Sequence, residues 1–191
     1  MTENSSPGTA RDVVDILTAD HREMIELLAR IKDAPGRVER RDLADTVIAE
    51  VMRHAVAEEM YVYPAVEKHV PDGAKKVEHD KEEHDGIVHI MKRMEDVDAS
   101  NPVFMELVQE LEGALRHHAN DEETEQFPQL RAHIPAGELT ELGDKVEHAK
   151  KRAPTRPHPH APHSELFHKT VGAGVGMVDR LRDKLTGRHT G

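Results

Sequence analysis

Apolar residues recur every third or fourth position through four successive segments of about 20 to 30 residues, the period of an amphipathic α-helix. Each stripe also contains polar side chains of metal-ligand type. From about residue 10 to 32 the stripe reads Leu17, His21, Met24, Leu28, Ile31, and Pro35 with Gly36 closes it. From about Arg40 it reads Val47, Val51, His54, Glu58, Tyr61, until Pro64 disturbs the backbone hydrogen bonding and Pro71, Asp72 and Gly73 form a break. The third segment, to about Val97, reads Val77, Asp80, His84, Ile87, Met91, Met94. Ser100, Asn101 and Pro102 offer cap chemistry for the fourth, which reads Leu107, Leu111, Leu115, His118, Glu122, Glu125 and stops near Pro128. A shorter amphipathic stretch with Leu139, Leu142 and Val146 on one face is expected to pack across an end of the other four.

The second pair of helices repeats the first. HAVAEEMYVYPAV (54–66) returns 64 positions later as HANDEETEQFPQL (118–130), matching at His, Ala, Glu, Glu, an aromatic and Pro. ADHREMIELLARI (19–31) aligns without gaps on EEHDGIVHIMKRM (82–94), an offset of 63. Repetition of apolar residues would report architecture alone. Here a lone His followed by His-x-x-x-Glu is repeated as well, so the chemistry is duplicated with the scaffold.

Composition narrows the classes. The 191 residues suit one domain with flanking sequence, and 33% charged residues without Trp suit exposed helices over an aliphatic core. With 26 Lys and Arg against 37 Asp and Glu, the net charge of -11 argues against nucleic acid as a partner. The absence of cysteine excludes disulfides, thiolate metal sites and iron-sulfur clusters. The opening MTENSSPGTARD holds no apolar signal run, and no stretch approaches the roughly 18 apolar residues of a membrane span, so the expectation is a soluble cytoplasmic protein.

A helix turns about 100° per residue, so His54 with Glu58, and His118 with Glu122, can each aim at one point. His21 and His84 lie on the inward stripe of the preceding helices. An antiparallel four-helix bundle with short loops would bring all six inside. Burying four imidazoles and two carboxylates without partners would cost several kcal/mol per carboxylate, and a bound cation is the missing partner. Nitrogen and oxygen donors suit iron, manganese or zinc rather than calcium or magnesium, and six of them suit two ions sharing Glu58 and Glu122 better than one tetrahedral zinc. Asp80 and Glu125 are further candidates, as donors or just outside the ligand set. Tyr61 lies about 60° in phase from Glu58, so its phenol is a candidate ligand or hydrogen-bond donor at the centre, with plain core packing as the alternative. Tyr63, His79 and His89 are each five positions from a ligand and are expected to point elsewhere.

The order H…HxxxEE…P, repeated as EEH…HxxxEE…FP over about residues 10 to 132, closely resembles the hemerythrin HHE cation-binding domains. The resemblance implies an all-α, up-down-up-down four-helix bundle. It also implies two non-haem iron ions, oxo or hydroxo bridged, held by His21, His54, Glu58, His84, His118 and Glu122. Oxygen-carrying members use a fifth histidine four positions before the third-helix ligand, where this chain has Asp80, so a redox or sensing role gains weight over reversible oxygen carriage.

Two readings of function remain. In one, the centre binds or reacts with dioxygen, hydrogen peroxide or nitric oxide, with catalase-like peroxide decomposition as one outcome. In the other, the chain is a non-catalytic metal-dependent oxygen or redox sensor, or an iron-binding protein. Ferritin-like chemistry uses Glu-x-x-His pairs, and the one such pair, Glu165 and His168, lies outside the bundle. The organisation read from the chain is a disordered N-terminus (1–9), the bundle with its short fifth helix (10–150), a Pro/His-rich flexible linker (151–164) and a tail (165–191). A weak helix is expected from Val175 to Leu185, docking on the bundle or on a partner. His158, His160 and His163 serve either as a metal-binding tract or as solvated spacing.

Overall fold

The computed structural model describes residues 11–159, 173–186 and 188. Asp12 caps the first helix, α1 (Val13–Asp33), in a reciprocal box: the Asp15 amide donates to its carboxylate at 2.9 Å, and its own amide donates to Asp15. After the Pro35-Gly36 corner comes α2 (Arg37–Ala57), then a wide π-turn (Glu58–Val62) and α3 (Tyr63–His69) as its continuation. Asp72 adopts a left-handed conformation (φ 56°), and a Cβ on Gly73 would lie 2.2 Å from the Val66 carbonyl oxygen, so this corner requires glycine. The second copy follows as α4 (Gly73–Asp96), α5 (Pro102–Asp121), a second π-turn (Glu122–Gln126) and α6 (Phe127–His133). Asn101 caps α5 by accepting from the Val103 amide at 3.0 Å. The short fifth helix is α7 (Ala136–Lys150), and α8 (Ala173–Thr186) lies in the tail.

Helix α1 packs on α2 and α5, and α4 packs on α5 and α2, closing the up-down-up-down four-helix bundle. Two apolar layers fill it. One contains Met24, Leu28, Ile31, Ile48, Met91, Met94, Phe104, Leu107 and Leu111. The other contains Leu17, Ala57, Val66, Val77, Phe127, Leu130, Leu142 and Val146. Each fully buried aliphatic side chain contributes about 1.5 to 3 kcal/mol. The stripe of α1 passes from Leu17 in one layer to Met24 in the other, with His21 between, so the polar residues form a plane sandwiched by hydrocarbon.

The two π-turns have a common cause. Pro64 and Pro128 lack an amide donor and their rings clash with the carbonyl four residues earlier. The helix opens by one residue instead, and the amides of Tyr63 and Phe127 reach back five positions to the carbonyls of Glu58 and Glu122.

Beyond α7, residues 151–159 are not helical but pack closely: Ala153 is buried in the apolar layer with Met94 and Phe104. Gly176 lets α8 approach, since a Cβ there would sit 2.3 Å from the Arg152 carbonyl oxygen. Asp183 accepts from Thr155 at 2.6 Å and from Arg156 at 2.7 Å, while Arg188 pairs with Asp45 and Glu95. The tail helix is thereby tied to the bundle end formed by α2 and α4. His158 lies 2.9 Å from Asp179. The N-terminus at 1–9, His160, His163 and the Glu165/His168 pair fall outside the described residues. No described helix is long and apolar enough to cross a membrane.

Candidate metal centre

His54 and His118 lie in the last turns of α2 and α5, Glu58 and Glu122 open the two π-turns, and His21 and His84 project from the middles of α1 and α4. All six are buried. The Nε2 atoms of His21 and His54 face each other at 3.2 Å, and so do those of His84 and His118. Each glutamate spans both imidazole pairs: Glu58 lies 3.2 Å from His54 and 3.4 Å from His84, and Glu122 lies 3.3 Å from His21 and 3.7 Å from His118. Two convergent donor groups result, His21, His54, Glu58 and Glu122 on one side and Glu58, His84 and His118 on the other.

Every Nδ1 atom of these imidazoles meets a carboxylate. His21 faces Glu123 at 2.9 Å, His54 faces Asp20 at 3.4 Å, His84 faces Glu59 at 3.3 Å and His118 faces Glu83 at 2.8 Å. A carboxylate at Nδ1 keeps the proton there and leaves the Nε2 lone pair pointing inward, the outer-sphere arrangement that orients metal-binding histidines. Four inward lone pairs with buried carboxylates are mutually repulsive unless a cation joins them. Glu58 Oε1 and Oε2 and Glu122 Oε2 have no hydrogen-bond partner although fully enclosed. Donor type, convergence and these orphaned oxygens all fit divalent transition metals.

The electrostatics agree. Burial by itself lowers an imidazole pKa, but Glu58 and Asp20 outweigh it at His54, which is raised to about 10. His84 is raised to about 10 in the same way, against burial, by Glu58 and Glu59. Burial opposes ionisation of Glu58, yet His54 and His84 hold its pKa well below the usual range. The site demands positive charge, from protons or from metal.

The outer carboxylates Asp20, Glu59, Glu83 and Glu123 were not legible from helical phase, because they lie one position off the inward stripe. The repeat carried a signal nonetheless: an acid directly precedes His21 and His84, and a second Glu directly follows Glu58 and Glu122.

Helical phase also misplaces the phenol. Tyr61 is half-buried against the apolar layer, whereas Tyr63, expected to point away, is buried with its hydroxyl 3.2 Å from His84 Nε2. The extra residue in the π-turn gives Tyr63 the angular place that residue 62 would hold in a regular helix, one turn beyond Glu58. Its repeat partner Phe127 stacks on His21, with ring centroids 5.9 Å apart. Glu125 is correspondingly turned out to solvent, 3.5 Å from Lys76. Asp80 is fully buried and both its oxygens accept from Gln126 Nε2 at 2.8 Å, beside Glu83 and His118.

Comparison with known proteins matches this arrangement. The chain is 29% identical over 174 residues to an uncharacterised hemerythrin-like protein of Schizosaccharomyces pombe, covering 91% of this chain and 86% of the relative. It is 20% identical over 164 residues to a DNA nickase of Nostoc, 86% of this chain but 44% of that protein. The crystal structure of a hemerythrin HHE cation binding domain-containing protein from Mycobacterium kansasii superposes with a TM-score of 0.64 at 22% identity, covering 88% of this chain and 99% of that one, and so shares the fold. The model of the hemerythrin HHE cation binding domain matches residues 12–130, the span that contains both copies of the repeat and all six inward histidines and glutamates, and the chain belongs to that family.

Proposed function

We propose that the centre holds two iron ions through His21, His54, Glu58, His84, His118 and Glu122, and that it binds or reacts with dioxygen, hydrogen peroxide or nitric oxide. The observation that carries this reading is that Glu58 and Glu122 each face one imidazole of both pairs, so that either carboxylate would be within reach of ions held by both pairs. Iron bound there would supply one-electron redox steps and exchangeable coordination positions for a small molecule.

The chain's own groups set the conditions. The four outer carboxylates fix the imidazole orientation, and the apolar layers above and below restrict water. Burial first, and then Glu58 and Glu122, raise the Tyr63 pKa well above its ordinary value. Its Oη therefore keeps its proton at neutral pH and serves as a neutral hydrogen-bond donor beside His84.

Metal analysis and a visible spectrum of purified protein test the centre, with two irons per chain expected. Oxygen evolution from hydrogen peroxide by the iron form, absent from the metal-free form, tests turnover. A spectral response to these small molecules without turnover selects the sensing alternative, for which the C-terminal helix tied to Asp45 and Glu95 is the element able to report. No spectral response and no turnover would leave a structural metal.

A further inference from the structure

The outer carboxylate Glu83 has two faces. Its Oε2 takes the Nδ1 of buried His118 at 2.8 Å, while its Oε1 points outward, 3.6 Å from His79 Nε2 and 3.4 Å from His117 Nε2. Asp121 completes the group: its Oδ2 lies 3.8 Å from His117 Nε2, and donor atoms of His79, Glu83 and Asp121 all fall within 4.8 Å of one another. His79 and Glu83 are four apart on α4, and His117 and Asp121 four apart on α5, so each of two adjacent helices contributes a pair of donors to the group. The two imidazoles are 57% and 66% exposed, which leaves the point open to solvent.

The first copy of the repeat shows what these positions hold when the face is covered. Its equivalents of His79, Glu83, His117 and Asp121 are Ile16, Asp20, Arg53 and Ala57. There α7 covers the face: Gly143 sits over Ile16, Ala57 is fully buried, and Lys150 donates to both oxygens of Asp20 at 2.7 Å. Among the described residues the second copy has no such cover. A solvated surface needs only polar residues there, yet every one of the four is a metal-ligand type, with His79, Glu83 and Asp121 converging and His117 reaching Glu83 and Asp121.

We propose that His79, Glu83, His117 and Asp121 form a solvent-exposed site for a divalent transition-metal ion, Zn2+ or Fe2+, distinct from the buried centre and joined to it through Glu83. Two imidazoles and two carboxylates are the nitrogen and oxygen set that a four-coordinate zinc site or a more open ferrous site uses. The inward ligand set does not depend on it, so the two assignments stand or fall separately.

Equilibrium dialysis of the intact chain against Zn2+ near neutral pH, with metal analysis, compares wild type with His79→Ala/His117→Ala. The wild type is expected to bind one equivalent more than the variant, and that equivalent to exchange with a chelator before the buried metal does. The difference between the two proteins is read whether or not the buried centre fills. Imidazole resonances of His79 and His117 should shift as that equivalent is added. Equal stoichiometry in the two proteins, or a zinc titration that leaves both imidazoles unmoved, would overturn the proposal.

Discussion

Each of the two copies of the repeat carries two imidazoles and one glutamate on the inward face, but the copies surround them differently. Around the first copy, α7 closes the outside and Lys150 neutralises Asp20, the carboxylate behind His54. Around the second, Glu83 behind His118 faces solvent through His79 and His117. On the ligand face the aromatic after each π-turn differs too: Tyr63 brings a phenol to His84, and Phe127 brings hydrocarbon to His21. Leu17 and Val62 of the first copy become the buried Asp80 and Gln126 pair in the second. Duplication thus preserved the inward imidazoles and glutamates. Divergence fell on the groups one contact away, where a polar change alters the environment of a ligand without removing it.

The largest effect should come from erasing the shared part. His54→Ala and His118→Ala are equivalent under the repeat, and each should lower metal content by about half or more. Each removes one partner of a buried charged set, a loss of about 3 to 5 kcal/mol that lowers the unfolding midpoint by about 10 °C. The double variant should hold no tightly bound iron; two irons retained there would refute the assignment of the centre. Metal analysis and thermal unfolding make the check.

Tyr63→Phe makes the first copy resemble the second at the ligand face. It should change iron affinity or peroxide rate by about tenfold, the usual cost of losing an outer-sphere partner, and shift the visible spectrum. Tyr61→Phe should leave both unchanged. The reverse pattern would mean that the register set by the π-turn is not the one that operates.

Protonation offers a third test. His54 and His84 are raised from about 6.5 to about 10, so at neutral pH the metal-free fold carries protons that metal must expel. In the metal-free protein the stability from these protons is complete below about pH 6.5 and is lost as pH rises through about 10. Metal affinity runs the other way, weakening as pH falls by about 1.4 kcal/mol per pH unit for each proton released. Calorimetry of Zn2+ binding in buffers of different protonation enthalpy should show net proton release. Binding without it would mean that the imidazoles enter neutral.

The smallest effect concerns the outer cover. Lys150→Met leaves Asp20 without its ammonium partner and should cost about 1 kcal/mol in chemical denaturation. His79→Ala, on the open side, should stay within about 0.5 kcal/mol. Equal losses at both positions would erase the distinction between a covered and an uncovered copy.

Much of this molecule was legible without coordinates. Four helices, their order and their loops follow from apolar spacing and from Pro, Gly and Asn at the breaks, because a helix buries a stripe fixed by its own period. The inward histidines and glutamates were legible for the same reason: they sit inside that stripe. The fifth helix, expected across an end of the bundle, lies against α1 and α2 with Gly143 on Ile16 and Lys150 on Asp20, while residues 151–159, read as the start of a flexible linker, pack with Ala153 in the core.

What the sequence by itself determined is therefore periodic and local: which residues share a helix face, and that two copies of one ligand set meet inside a bundle. The tertiary structure decided everything that depends on one helix's position against another. It selected Tyr63 over Tyr61, because Pro64 forces a wider turn that advances the chain by one residue and no regular helical phase contains that step. It paired Asp20, Glu59, Glu83 and Glu123 with imidazoles on neighbouring helices, contacts that span 25 to 102 positions, so that the repeated acids mark the carboxylates but not which imidazole each one meets. It also placed α7 over one copy and, among the described residues, left the other without such a cover, which a repeat read along the chain cannot express because it depends on where a third element packs.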